Sequence, residues 1–256
     1  MNNDATRYPS LERRVVFITG GGSGIGAGLT RAFHRQGAEV AFVDIDDAAS
    51  QALVEELKAE TGRAPQYRHC DIRDVAALQA VIAEVGHTLG PIHTLVNNAA
   101  NDDRHAWDAV DVAYWDERMS LNLRPMFFAA QAAARQMIDA GGGSIINFGS
   151  ISVQMAIGDL STYVTAKAAV HGLTRSLARD LGKHGIRVNT LVPGSIMTDR
   201  QLEKWIGPEE EASIQARQCL KLRLEPCHVA PAVLFLASAD SLAISGQELA
   251  VDGGWG

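Results

Sequence analysis

Cysteine is scarce in this chain of 256 residues: Cys70, Cys219 and Cys227 are odd in number and follow no metal-ligand spacing. That argues against a disulfide scaffold and offers no metal site, and reduced thiols in a cytosolic protein are the expectation. Long apolar runs are missing as well; none approaches the ~18 residues that a membrane-spanning helix needs. The opening MNNDATRYPSLERR is polar and has no apolar centre of the signal-peptide kind, so the expected location is the cytoplasm. Nor is there an excess of positive charge. The 23 Lys and Arg face 30 Asp and Glu, and the formal net charge of −7 argues against nucleic acid or an anionic membrane as the main partner. There is no internal repeat and no low-complexity linker, and the glycines at 141–143 read as a turn. A chain of this length buries a full core without staples. One domain spanning residues 1–256, with 1–12 as an N-terminal tail, is the economical expectation.

What is present is an alternation of short β-rich runs with longer helical stretches. RVVFIT (14–19), AEVAFV (38–43), PQYRHCDI (65–72), IHTLVN (92–97), SIINFG (144–149), IRVNTLV (186–192) and QELAVD (247–252) are the runs. Between them, Leu53, Val54 and Leu57 share one helical face, as do Leu78, Val81, Ile82 and Val85, and residues 114–140 form a long Ala-rich span. Nearly all-apolar strands separated by helices indicate an α/β fold, a doubly wound parallel sheet covered on both faces.

The first run ends in TGGGSGIG, residues 19–26, at the start of a helical stretch. Gly20, Gly24 and Gly26 allow a tight turn and a close approach to a pyrophosphate, which then sits at the helix N-terminus, flanked by Ser23 and Ile25. Taken alone, such glycines are equally a turn that binds nothing. The strand before them and the helix after them favour a dinucleotide site, and so does Asp44, which ends the second strand 18 residues past Gly26. An acid there binds the adenosine ribose hydroxyls and repels a 2′-phosphate. No Arg or Lys lies beside it, so NAD is expected over NADP; the bland alternative is a solvated loop acid. In STYVTAKAAV, Tyr163 and Lys167 lie one helical turn apart. An ammonium beside a phenol favours the phenolate. Bringing a tyrosine from ~10 to neutrality takes roughly 4 kcal/mol, within reach of one lysine plus a positive nicotinamide ring. The outcome is a general base for an alcohol proton. Ser150, at the end of the strand run 13 residues before Tyr163, can steady the substrate oxygen; without it an exposed helix pair is the better reading of Tyr163 and Lys167.

Residues 19–26, Asp71, NNA at 97–99, Asn122, Ser150, Tyr163, Lys167 and PG at 193–194 together resemble the short-chain dehydrogenase/reductase family, from about Arg14 to the C-terminal VDGG. The resemblance implies a Rossmann sheet of seven parallel strands and a homotetramer. It implies a catalytic set of Asn122, Ser150, Tyr163 and Lys167, with Lys167 also holding the nicotinamide ribose and Asn122 supporting a water-linked proton relay. Asp71 and Ile72 would flank the adenine. Asn98, Ala99 and Ala100 would line the middle of the cofactor, and Pro193, Gly194, Ile196 and Thr198 its nicotinamide end. The family's usual NNAG reads NNAA here, one methyl more at Ala100, with binding expected to be retained.

Residues 20–40, 101–105 with 114–124, 141–152 and 197–223 further resemble the NAD-dependent aldose 1-dehydrogenases of bacteria, with D-xylose, L-arabinose, D-galactose and L-fucose as the substrate class. This implies oxidation of the anomeric hydroxyl to a lactone. The residues suit a sugar. Asn101, Ser150, Gln154, Asp159, Ser195 and Arg200 supply polar groups at strand ends, beside a partly apolar set of Met155, Ile157, Ile196, Met197 and Trp205. Asn101 is the strongest candidate to touch substrate. Asp102, Asp103 and Arg104 also read as a salt-bridged loop, His105 as a structural hydrogen-bonding group, and Trp205 and Trp255 as core or subunit contacts. The alternatives are another alcohol or ketone (a polyol or a 3-oxoacyl thioester) and a non-catalytic NAD-sensing scaffold. The small residues of 126–140 and 163–182 suit close helix packing between subunits, and whether GGWG reaches a neighbour is open.

Overall fold

The seven runs become seven strands of one sheet. In the computed structural model, which describes residues 6–155 and 157–255, these are β1 (Val15–Thr19), β2 (Glu39–Asp44), β3 (Gln66–His69), β4 (Ile92–Asn97), β5 (Gly143–Phe148), β6 (Ile186–Pro193) and β7 (Glu248–Val251). Their order is β3-β2-β1-β4-β5-β6-β7, every pairing parallel. The helices are α1 (Gly24–Arg35), α2 (Asp47–Thr61), α3 (Val75–Thr88), α4 (Val112–Asn122), α5 (Arg124–Asp139), α6 (Ser152–Met155), α7 (Ser161–Leu181), α8 (Asp199–Lys204), α9 (Pro208–Arg217) and α10 (Pro226–Ala237). Both faces of the sheet are covered. Val16 and Ile18 of β1 pack with Leu29 and Phe33 of α1 and Val229 and Val233 of α10. Val15 and Phe17 point the other way, onto Leu78 and Ile82 of α3 and the alanines of α5. Alternation thus buries every residue of β1, as a parallel sheet between helical layers requires.

Three local outcomes differ from the sequence reading. The run at 65–72 pairs only over Gln66–His69, so Cys70 and Asp71 leave the sheet toward the strand ends. The span 114–140 is two helices with a break at Leu123. Pro125 cannot donate to the carbonyl four residues back, and its ring clashes there, which stops a continuous helix. Ala129, Ala130, Ala133 and Ala134 are buried in the chain's own core; their small size lets α5 lie close to the sheet. Of the stretch read as a tail, residues 1–5 lie outside the described residues. The remainder is docked: Leu11 is 1% exposed, and Gln36 accepts from Tyr8 N at 2.9 Å and donates to Thr6 O at 2.8 Å. At the other end Trp255 packs with Met197, Trp205 and Ile206 of its own chain, and Leu220 N donates to Gly253 O at 2.8 Å. Among the described residues no helix is long and apolar enough to cross a membrane.

Candidate active site

Strand order reverses between β1 and β4, and a doubly wound sheet opens its ligand crevice at that point, beyond the carboxyl ends of the strands. A cavity of about 610 Å³ lies there. One half is walled by Gly20, Ser23, Gly24, Ile25 and Gly26. Gly20 and Gly24 have φ of +65° and +51°, backbone that favours glycine. A Cβ on Gly26 would stand 1.7 Å from Gly20 O. Helix α1 begins in this wall, and Ser23 makes no side-chain cap, whereas α2, α3, α4 and α8 are capped by Asp46, Asp74, Asp111 and Thr198. First-turn N–H groups of α1 are therefore left facing the crevice, which suits a pyrophosphate.

Asp44 ends β2 at the rim. Its Oδ2 accepts from Gly22 N at 2.9 Å and its Oδ1 from Ile45 N at 2.8 Å and Asp46 N at 3.1 Å. Backbone donors thus fix the carboxylate, and Oδ2 keeps a lone pair. Asp71 and Ile72 line the same end. Arg73 clasps Asp71 and also reaches Glu117 at 3.1 Å, and the guanidinium holds the Asp71 carboxyl below the usual range.

At the end of β4, Asn98 turns inward. Its Nδ2 donates to Thr19 O at 3.1 Å and Gly20 O at 2.9 Å, and Asn98 N and Ala99 N donate to Thr19 Oγ1. Asn98 therefore staples the β4 loop to the glycine loop, while Ala100 is exposed on the cavity wall. Beneath it, Asn97 donates to Asn147 at 2.9 Å, Asn147 to Thr174 at 3.0 Å, and Thr190 to Thr174 at 2.8 Å, all buried. This chain joins β4, β5, β6 and α7 under the site.

Tyr163 and Lys167 project from α7 into the other half of the cavity. Lys167 is 1% exposed. Its ammonium donates to Phe148 O at 2.7 Å and stands 5.6 Å from the centroid of the Tyr163 ring. Burial drives the Lys167 pKa down to about 7, with the Asp102 charge opposing. The Tyr163 phenol moves the other way. Desolvation and then Asp102 push it well above its ordinary value, against a hydrogen bond with Ser150 and the charges of Arg200 and Arg104. The expectation that the lysine lowers the phenol is thus reversed within the protein's own side chains.

Residues 20–256 match a family model described as "Enoyl-(Acyl carrier protein) reductase". The chain is 54% identical over 248 residues to a D-xylose 1-dehydrogenase of Caulobacter vibrioides, covering 97% of this chain and 98% of that protein. It is 48% identical over 254 residues to a Rhizobium meliloti protein named probable galactose dehydrogenase GalD, with 99% of each covered. A solved short-chain type dehydrogenase/reductase from Mycobacterium ulcerans superposes with a TM-score of 0.91 at 30% identity, over 96% of this chain and 90% of that one. The chain belongs to the short-chain dehydrogenase/reductase family. It is an oxidoreductase acting on CH–OH groups with a nicotinamide dinucleotide, NAD(P), as its cofactor.

Within this dehydrogenase, some expected site residues line the crevice and others stand behind it. Pro193 and Thr198 line it, and the Thr198 methyl abuts Gly24, where a Cβ would be 3.3 Å away. Gly194 serves a close approach to β7, since its Cβ would meet Asp252 Cα at 2.7 Å. Ile196 is buried in the core, and Ser195 is half-buried. Ser150 accepts from Ser152 Oγ at 2.8 Å behind Tyr163. The Gln154 amide nitrogen donates back to Ile151 O and Ser150 O. Asn122 is fully buried, with both amide ends on the Asn101 backbone: Oδ1 accepts from Asn101 N at 2.8 Å and Nδ2 donates to Asn101 O at 3.1 Å. That makes Asn122 a positioning residue.

The substrate half has the loop 101–105 on one side and α8 on the other. Arg200 Nη2 donates to Asn101, Asp102 and Asp103, closest to Asp103 at 2.8 Å. Gln201 donates to Asp102 Oδ2 at 2.6 Å, and Lys204 to Asp103 at 3.3 Å. The acids are thus a latch to α8, and Arg200 is occupied with them. Arg104 stacks over Trp205, 5.4 Å from the centroid of its ring. His105 is structural, contacting Tyr114 Oη at 3.1 Å and Ser161 Oγ at 3.2 Å. Sequence reading missed Arg73, Glu117, Arg118, Phe148 and Gln201 on the cavity wall. No local motif marks them; they arrive from separate elements.

Proposed function

We propose that this chain oxidises the anomeric hydroxyl of a cyclic aldose, of the D-xylose, L-arabinose, D-galactose or L-fucose class, to the lactone with NAD, in the cytoplasm. The observation that carries this reading is the near-full-length identity to two sugar dehydrogenases, 54% and 48%. The polar wall facing Tyr163 (Asn101, Asp102, Arg200 and Gln201) agrees with it, since a sugar's hydroxyls need partners and each buried unpaired group costs about 1–3 kcal/mol.

The residues present fit a dinucleotide. The glycine loop and the α1 N-terminus would hold the pyrophosphate, Asp44 the adenosine ribose, and Asp71 and Ile72 the adenine. Asn98, Ala99 and Ala100 would border its middle, Lys167 the nicotinamide ribose, and Pro193, Gly194, Ile196 and Thr198 the nicotinamide end. Asp44, whose charge repels a 2′-phosphate, supports NAD over NADP. When bound, the oxidised nicotinamide supplies the hydride acceptor and a positive charge beside the phenol. Tyr163 takes the proton of the C1 hydroxyl. Ser150 shares a hydrogen bond with the phenol and steadies the same oxygen. Lys167, anchored on Phe148 O, keeps charge close to the ring of Tyr163.

A panel of pentoses and hexoses with NAD and NADP, read at 340 nm, tests the proposal. NADH from at least one aldose, with a higher kcat/KM for NAD than for NADP, is expected. Turnover of polyols or 3-oxoacyl substrates alone overturns it. The raised phenol pKa has a second consequence. Oxidation needs the deprotonated base, so kcat/KM should climb from pH 6 toward pH 10, by about tenfold per pH unit at most. Lys167, near 7, titrates in the same window, so the limb belongs to the pair. A profile that falls over this range contradicts Tyr163 as the base.

A homotetramer is part of the same proposal. Its support is an apolar groove of about 300 Å³ between α5 and α7, lined by Leu123, Phe127, Phe128, Ala169 and Leu173, with Phe127 41% exposed. Light scattering should give four chain masses for the wild type and less for Phe127→Glu; a monomeric wild type refutes it.

A further inference from the structure

Asn101 opens the loop after β4, and its side-chain oxygen is crowded by donors. Asp103 N donates to Oδ1 at 2.8 Å, Arg118 Nη1 at 3.2 Å and Arg200 Nη2 at 3.3 Å. A backbone N–H and two guanidinium groups can only face an acceptor, so the amide cannot turn over. The backbone of the same residue is held at both N and O by Asn122. The amide nitrogen Nδ2 faces the Asp103 carboxylate, which Asn101 helps to hold below the usual range, and that uses one of its two N–H groups. Asn101 lines the crevice together with Tyr163 and Lys167, and the second amide N–H is the polar group left to serve it.

The two guanidinium groups are not equivalent. Arg200 is 37% exposed and divides one nitrogen among three acceptors. Arg118 is 12% exposed, pairs with Glu117, lies 3.9 Å from Asp103 and sits over the Tyr114 ring, 5.1 Å from its centroid. Its position is fixed on three sides, and water screens it little.

We propose that Arg118 is a positioning residue that fixes the polarity of Asn101, so that Asn101 meets the substrate only as a hydrogen-bond donor and the crevice recognises an acceptor oxygen of the aldose. This rests on the aldose reading. It adds a direction to one substrate hydrogen bond and gives Arg118 a role that passes through Asn101.

The test uses the best aldose of the panel and the full-length enzyme, with thermal melts confirming that each variant folds. Arg118→Met should raise the sugar KM about tenfold, the scale of one lost hydrogen bond, with kcat within threefold and the NADH Kd unchanged. Arg118→Lys, which keeps a donor, should recover part of the loss. Asn101→Asp keeps the oxygen facing both arginines and replaces the donor by an acceptor, so its KM should also rise at least tenfold. In an Asn101→Ala background, Arg118→Met should change KM less than twofold, because its effect passes through Asn101. An unchanged KM in Arg118→Met, or an equal loss in both backgrounds, overturns the proposal. Mono-deoxy sugars identify the oxygen. A hydroxyl partner is the one whose removal costs the wild type and spares Asn101→Ala; a ring-oxygen partner leaves every deoxy sugar ranked alike in both proteins, and either pattern supports a donor at Asn101. If the wild type turns over no aldose, the aldose reading fails first, before any variant is compared, and this inference falls with it.

Discussion

Tyr163→Phe is expected to lower kcat/KM for the aldose by about three orders of magnitude, within the 10²–10⁴ range of a positioned general base. The change removes one oxygen and leaves the ring. The packing of the Lys167 ammonium over that ring, 5.6 Å from its centroid, is kept, and Ser150 retains its bond to Ser152 at 2.8 Å. Fold and cofactor site should therefore be undisturbed. The NADH Kd, read by fluorescence titration, should stay within twofold while NADH production at 340 nm nearly disappears. A variant with a tenth or more of wild-type turnover would mean that another group takes the proton.

Gly26→Ala should produce the other large loss, at the opposite end of the crevice and by a different cause. Its Cβ would stand 1.7 Å from Gly20 O and 2.8 Å from Asn98 Nδ2, and those two atoms are bonded to each other at 2.9 Å. The methyl must push α1 away from the glycine loop or break the staple to β4. Either way the first-turn N–H groups of α1 lose their alignment, and the NAD Kd should rise at least about a hundredfold, a cost of roughly 3 kcal/mol. Gly62→Ala is the control. Unlike Gly26 it carries a left-handed φ, +75°, and nothing lies within 4 Å of its Cβ. It should cost about 1 kcal/mol of stability and leave NAD binding alone. Equal cofactor affinity in Gly26→Ala and wild type would show that the loop tolerates the displacement.

The two predictions draw on features of unequal visibility in the sequence. The glycine loop and the Tyr163–Lys167 pair were legible because each is defined by fixed spacing along a single element: a turn entering a helix in one case, one helical turn in the other. The strands were legible for a similar reason, since burial on both faces leaves Thr19 as the one polar residue of β1 and confines the polar residues of β2 to its two ends. The roles of Arg200 and Gln154 were not. Arg200 was a substrate candidate because it is polar and follows β6, and only the fold brings it against Asp102 and Asp103 from the loop after β4, nearly a hundred residues away. Gln154 is turned onto its own helical backbone.

Local pattern therefore determined the order of strands and helices, the glycine turn, the place of Asp44 at the end of β2 and the one-turn spacing of Tyr163 and Lys167 on α7, because the physics of each is short-range: periodicity, backbone freedom at glycine, one turn of helix. Long-range placement settled the remainder. The proton balance of Tyr163 and Lys167 depends on how much protein surrounds them, which reversed the expected direction of the phenol's shift. The polarity of Asn101 depends on Arg118 and Arg200 converging from α4 and α8. Desolvation and convergent hydrogen bonds are properties of a folded volume, and no stretch of chain carries them alone.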